Sequence, residues 1–418
     1  MRTQAEVTAP RPRLRVVEPG DVPPLVARMR AERSARRVMA TLIVSAVALT
    51  TIGLVMVLSA SSVQAYTQDN NSFYYFERQG IYAALGCVAA LLASRVRYDT
   101  WRRLWPALAL VTFVLLAAVF KLGTTVGGST RWIQYGAVNV QPSEFAKFTA
   151  IVATAALLAR NRRFLAEPVR LVLPVVLVVL PIAGLVLLQP DLGTTFVIAA
   201  SVATLLFASG IRLRTLAAWF AAALAFGSFV IFTTGYMRTR FFAYLHPWQN
   251  ARTTGYQVTQ GLMAIGSGHL VGVGLGASRQ KWLFVPNAHT DFIFAILGEE
   301  VGLIGAVLVL ALFGALVFAG IRIAVRAPDP FGRLLATGIT TWLAVQALVN
   351  LGGVTGVLPI TGVPLPFVSY GGSSLIVTLA MVGVLASVGR ASLWPNARTR
   401  PPGRGAVGRE ARSKGRRA

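Results

Sequence analysis

Apolar runs long enough to cross a membrane recur along most of the chain, at 39–62, 79–94, 105–122, 143–159, 171–188, 193–210, 214–235, 291–321, 333–357 and 369–389. A helix spans the hydrocarbon core with roughly 17–25 residues, so the pattern predicts about ten transmembrane helices, several near the lower limit. The polar breaks between them are short except for 236–290, between the seventh and eighth runs. The ends differ. Residues 1–37 hold nine arginines and five prolines with few large apolar side chains, too little apolar surface to fold alone. The expectation is an all-α, polytopic integral membrane protein. Its membrane domain covers 38–390, with disordered basic cytoplasmic tails at 1–37 and 391–418 and a large extracytoplasmic loop at 236–290.

Composition sharpens this. With 55% hydrophobic and 13% charged residues over a length of 418, and a mean hydropathy of +0.62, most of the chain must sit in lipid. A formal charge of +25 raises the question of a nucleic-acid partner. The positions of the charges answer it. Of the 40 Lys and Arg, 31 fall in the two tails (counting Arg390) and in breaks near 95–103, 160–170, 211–214 and 322–333. That bias orients both ends to the cytoplasm and assigns no role to nucleic acid. Cys87 is the single cysteine, which excludes an intramolecular disulfide; it is expected as a small buried hydrophobe. A polar stretch precedes the first span, so no cleavable leader is expected.

On this topology Glu144, Asp191, Asp291, Glu299 and Glu300 lie near outer helix ends, and ionisable groups at membrane depth are functional candidates. Asp291 closes the long polar stretch, where Asn287-Ala288-His289-Thr290-Asp291 re-enters an apolar run at Phe292 beneath Arg238, Arg240, Arg252, Arg279 and Lys281. Its bland role is a first-turn carboxylate favoured by the helix dipole. Its chemical role is to accept a proton from an attacking sugar hydroxyl, while the cations stabilise charge on a leaving diphosphate.

The other acids have simpler readings. Glu144 follows Pro142 and suits a first turn; Asp191 suits an N-cap in a tight outer turn or re-entrant break at 189–195. Glu299 and Glu300 are expected to pair with other helices, with proton relay as the alternative. Arg131 and Lys147 lie on the positive-poor side without an obvious sequence-local partner and are candidates for a lipid phosphate. Gly266, Gly268, Gly272, Gly274 and Gly276 match no phosphate-loop motif and read as flexible or closely packed backbone. His246, His269 and His289 lack zinc-ligand spacing. The prolines and glycines of 359–372 force a fixed non-helical segment. There Ser369, Ser373 and Ser374 either face a ligand or satisfy broken backbone.

Several stretches together resemble the SEDS (FtsW/RodA/SpoVE) family of polytopic membrane proteins, its cell-division branch more than its elongation branch. They are Val57-Leu58-Ser59-Ala60-Ser61-Ser62, Gly128 to Ile133, Gln141-Pro142-Ser143-Glu144 with Lys147, Gln189 to Gly193, Gly255-Tyr256-Gln257 with Gln260, Asn287 to Phe294, and Asn350 to Ser374. The resemblance spans about 40–390. It implies a peptidoglycan glycosyltransferase that polymerises lipid II at the outer face of the bacterial cytoplasmic membrane during division, at the septum. Asp291 is then the catalytic base. Arg131, Lys147, Gln257, Gln260, Lys281, His289, Thr290, Ser369 and Ser373 are the candidate substrate-binding residues. The implied partners are lipid II and a polyprenyl-diphosphate-linked glycan, a class B penicillin-binding transpeptidase, other divisome membrane proteins and membrane lipid. No fixed cofactor is implied, and a divalent cation (Mg or Mn) at the diphosphate is left open. Competing readings are a lipid II transporter, an elongation-type polymerase and a membrane scaffold.

Overall fold

A computed structural model of the chain describes residues 24–126, 129–135, 138–165, 167–233, 235, 238, 244–253, 255–282, 284–286 and 288–393. Eleven α-helices are described: α1 (Pro24–Asp69), α2 (Tyr74–Arg95), α3 (Tyr98–Leu122), α4 (Pro142–Arg160), α5 (Pro168–Leu188), α6 (Leu192–Ala208), α7 (Leu213–Thr233), α8 (Tyr256–Ser267), α9 (Ile293–Arg326), α10 (Pro330–Val354) and α11 (Gly372–Leu393). All but α8 coincide with the ten predicted spans. By length and composition six of these helices are apolar enough to cross a membrane, and α6 is a shorter apolar helix.

Local chemistry sets the ends. Pro168 and Pro330 occupy first-turn positions, where a missing N–H costs nothing. Asp329 caps α10 by accepting from the Gly332 amide at 2.9 Å, and the Tyr98 hydroxyl of α3 donates to the same carboxylate. The helix α4 is central: its residues from Ala146 to Leu158 are all buried, and it packs against α3, α5, α6 and α10. Around it, α11 lies along α2, and α1 along α9. Large apolar side chains such as Leu85, Leu91, Leu177 and Val325 stay exposed on the outside, as a lipid-facing surface requires.

At four places the structure adds to the expectations or departs from them. First, α1 begins at Pro24, so residues 24–37 are helical rather than disordered; Arg, Ala, Met and Glu are good helix formers and extend the span outward. The rest of that tail, and everything after Leu393, lies outside the described residues. Second, a three-stranded antiparallel sheet, β1 (Gly123–Val126), β2 (Ser129–Tyr135) and β3 (Val138–Val140), sits between α3 and α4. Third, the long loop contains α8. Fourth, Cys87 is exposed, on the face of α2 that carries Leu85, Val88 and Leu91.

Of the five glycines in and after α8, Gly268 and Gly272 are closely packed against α9, while Gly266, Gly274 and Gly276 have open space or a single contact at 3.9–4.0 Å beside them. In α9, Gly302 takes φ 70° and ψ −164°, which breaks the helix. The freed groups find partners in the glycine-rich segment after α8: Val273 and Gly274 amides donate to the carbonyls of Glu299 and Glu300, both at 3.0 Å. In return the Leu303 and Ile304 amides donate to the carbonyls of His269 (3.0 Å) and Leu270 (3.2 Å). Buried backbone must be paired, and here an irregular segment supplies the pairs. A Cβ on Gly302 would stand 2.4 Å from the Gly272 nitrogen, and one on Gly272 would stand 2.2 Å from the Glu300 oxygen.

Candidate functional site at the head of α9

Asp291 lies just before Phe292, the N-cap of α9, and is half-buried. Phe292, 1% exposed, anchors the chain beside it and packs under α8 at Gly261. From α10, the Asn350 side-chain amide donates to the Asp291 backbone carbonyl and to that of Val363, each at 2.8 Å. The Thr290 hydroxyl donates to Asp291 Oδ1 at 3.0 Å.

An aromatic cluster forms the adjoining wall. The His289 ring lies 4.7 Å from Tyr75 and 5.5 Å from Tyr370, and the Tyr370 amide donates to the His289 carbonyl at 2.9 Å. Burial lowers the His289 pKa to about 4, so the ring is neutral at physiological pH. Burial also pushes the Tyr370 hydroxyl up to about 12, with Tyr82 adding to the effect and Arg78 opposing it. Arg78 itself lies over the Tyr74 ring at 4.3 Å. Below it, Gln79 is fully buried and clamps the segment before α11, donating to the Ser369 carbonyl at 3.1 Å and accepting from the Gly371 amide at 3.3 Å.

Several expected ligand contacts are redirected into the protein. Lys147 is 1% exposed; its ammonium donates to Glu144 at 2.9 Å and Gln346 at 2.6 Å rather than facing a lipid phosphate. Arg131 pairs with Asp191 at 3.5 Å and donates to the carbonyls of Gln189 and Pro190. Lys281 donates to the Gly276 carbonyl at 2.5 Å and lies 3.7 Å from Glu300. In each case burial of the cation demands a partner, and a carboxylate is at hand. Ser369 accepts from the Leu365 amide at 2.8 Å, and Ser373 links Asn139 and Gln141 at 3.2 Å each. Both serines therefore satisfy broken backbone. Gln257 donates to the Pro286 carbonyl at 3.3 Å, and Gln260 is half-buried on α8.

The acids sort the same way. Asp191 caps α6 through the Thr194 amide at 3.1 Å, as expected. Glu300 accepts from Ser59 of α1 at 2.6 Å, while Glu299 accepts from Ser278 and from the Arg279 amide at 2.9 Å, a loop rather than a helix. These four acids, Glu144 among them, are at most 2% exposed. Asp291 is the more open carboxylate of the five. Among the cations of the long loop, Arg238, Arg252 and Arg279 are exposed; Arg240 and Asn287 lie outside the described residues. The sequence reading gave no site role to Tyr75, Arg78, Gln79, Tyr370 or Asn350, although the last two lie in the stretch from Asn350 to Ser374 that carries the resemblance. The Arg78-Gln79 pair at the start of an apolar run was the available signal for two of them.

The profile of the cell cycle protein family of FtsW, RodA and SpoVE matches residues 39–393. The chain belongs to this family. It is 43% identical to the "Probable peptidoglycan glycosyltransferase FtsW" of Geobacter metallireducens, covering 83% of this chain and 93% of that protein. To the "Stage V sporulation protein E" of Bacillus subtilis it is 40% identical, covering 84% and 97%. Among FtsW/RodA/SpoVE structures it superposes on Thermus thermophilus "Rod shape determining protein RodA" with a TM-score of 0.60 at 30% identity, covering 84% of this chain and 96% of that one. It also superposes on a chain from "Structural coordination of polymerization and crosslinking by a peptidoglycan synthase complex", with a TM-score of 0.67 at 32% identity and coverage of 84% and 97%. Membership of the FtsW/RodA/SpoVE family and the apolar helices make this an integral protein of the bacterial inner membrane.

Proposed function

We propose that this protein is a peptidoglycan glycosyltransferase that polymerises lipid II at the outer face of the cytoplasmic membrane during division, with both termini cytoplasmic and its place at the septum. The observation that carries the reading is the contrast among the acids. Four are at most 2% exposed, while Asp291 stays half-buried with its backbone fixed by Asn350. In the proposed step an acceptor sugar hydroxyl attacks the anomeric carbon of a glycan held on polyprenyl diphosphate. The new C–O bond forms as the bond to the diphosphate breaks, the diphosphate leaves with the electron pair, and Asp291 takes the hydroxyl proton. Arg78, which lies over the Tyr74 ring beside the aromatic wall, is a cation for the departing charge. No group of three His, Cys, Asp or Glu side chains comes together among the described residues. A Mg or Mn ion, where one assists, would accordingly be held mainly by diphosphate oxygens and water.

The proposed partner is a class B penicillin-binding transpeptidase, supported by the likeness to a chain of a peptidoglycan synthase complex. The test uses purified protein with that partner and labelled lipid II. Glycan strands should form, and Asp291→Asn should abolish them with an unchanged melting temperature. Full activity in that variant would remove Asp291 from the mechanism. Protein-dependent movement of lipid II across liposomes without polymer would favour a transporter.

A further inference from the structure

At the arginine-rich end of the bundle, opposite Asp291, the start of α3 and the end of α4 enclose a cleft of about 500 Å³ lined by Asp99, Arg102, Arg103, Trp105, Ala156 and Arg160. The guanidinium groups of Arg102, Arg103 and Arg160 pair with no carboxylate among the described residues. The one acid in the cleft, Asp99, lies 3.8 Å from Arg97, which is outside the lining. Asp99 stands in the first turn of α3 and Arg160 in the last turn of α4, each complementing the dipole of its own helix. Nothing in the glycosyltransfer step uses these groups.

We propose that this cleft binds the phosphate headgroup of an anionic phospholipid of the inner leaflet. Three guanidinium groups match the oxygens of a phosphate diester. Trp105 is half-buried and suits the headgroup boundary, where indole rings settle. The cleft opens beside the exposed apolar surface of α3, at Leu104 and Leu110, along which acyl chains can lie. A soluble phosphate has the same headgroup chemistry and no use for that apolar flank.

The test is native mass spectrometry of the full-length protein in detergent, titrated with phosphatidylglycerol, with phosphatidylcholine or with inorganic phosphate. The wild type should retain phosphatidylglycerol in preference to phosphatidylcholine and should not retain inorganic phosphate. Arg102→Gln/Arg103→Gln should weaken phosphatidylglycerol retention by about tenfold or more. Arg102→Lys/Arg103→Lys, which keeps the charge, should lose less. Arg160→Gln should also weaken binding, which keeps the test sound if the double variant folds poorly. Arg212→Gln/Arg214→Gln, at a different turn of the same end, serves as the control for general surface charge. Equal losses in the control and the cleft variants would overturn the proposal, as would unchanged retention in Arg102→Gln/Arg103→Gln or retention of inorganic phosphate as strong as that of the lipid.

Discussion

Asn350 ties the site together: one side-chain amide donates to the backbone carbonyls of both Asp291 and Val363. It thereby holds the head of α9 against the non-helical segment that leads to α11. A small displacement of a reacting group can lower a rate about a hundredfold. Asn350→Ala should therefore reduce polymerisation by about 10–100-fold while costing about 1–3 kcal/mol of stability. Rate measurements on detergent-purified protein, paired with thermal melting, would check both; an unchanged rate would show that Asp291 is positioned without it.

The pairing of Lys147 with Glu144 and Gln346 carries a stability prediction. Removing one member of a buried ion pair costs about 3–5 kcal/mol, whereas replacing both can be close to neutral. Lys147→Met should thus lower the melting temperature markedly, and Glu144→Gln/Lys147→Met should recover much of the loss. A double variant no better than the single one would count against a self-contained pair.

Strain at the break in α9 supplies a third. Gly302→Ala places a side chain at positive φ against backbone atoms, and such strain costs about 1–3 kcal/mol before any clash is added. Gly184→Ala makes a control in α5, where an added Cβ meets nothing within 4 Å. Melting curves should separate the two variants clearly.

Acid should weaken the fold through His289. Its pKa is held at about 4, against an ordinary 6.5, by burial. The unfolded chain therefore binds the proton more readily between those values. Stability contributed here is fully present above about pH 6.5 and falls by about 1.4 kcal/mol per pH unit on the way down to about 4. His289→Phe keeps a ring against Tyr75 and Tyr370 and should flatten the dependence in melts at pH 7, 6 and 5.

Much of the architecture was legible in the sequence because lipid imposes a simple rule: long apolar runs must be helices, and the arginines mark one side. The capping role of Asp191 was legible for the same reason, since the turn around it is short. The small sheet was not, because β1 and β3 are only four and three residues long and too brief to show alternation. Gly302 gave no warning because it is one of several glycines in the run at 291–321, among them Gly298 and Gly305. Long-range partners such as Lys147 with Gln346, 199 positions apart, or Lys281 with Glu300, are invisible without a fold. The sequence reading gave Lys147 no local partner and overlooked Glu144, three residues before it, a spacing at which two side chains on a helix meet.

The break in α9 also bears on how the chain opens and closes. Its missing rungs come from Val273, Gly274, His269 and Leu270, so this glycine-rich stretch and the helix it mends form one cooperative unit. Amide hydrogens at 273, 274, 303 and 304 should exchange together and slowly, giving a segment with the primary structure of a surface loop the kinetic protection of a membrane helix.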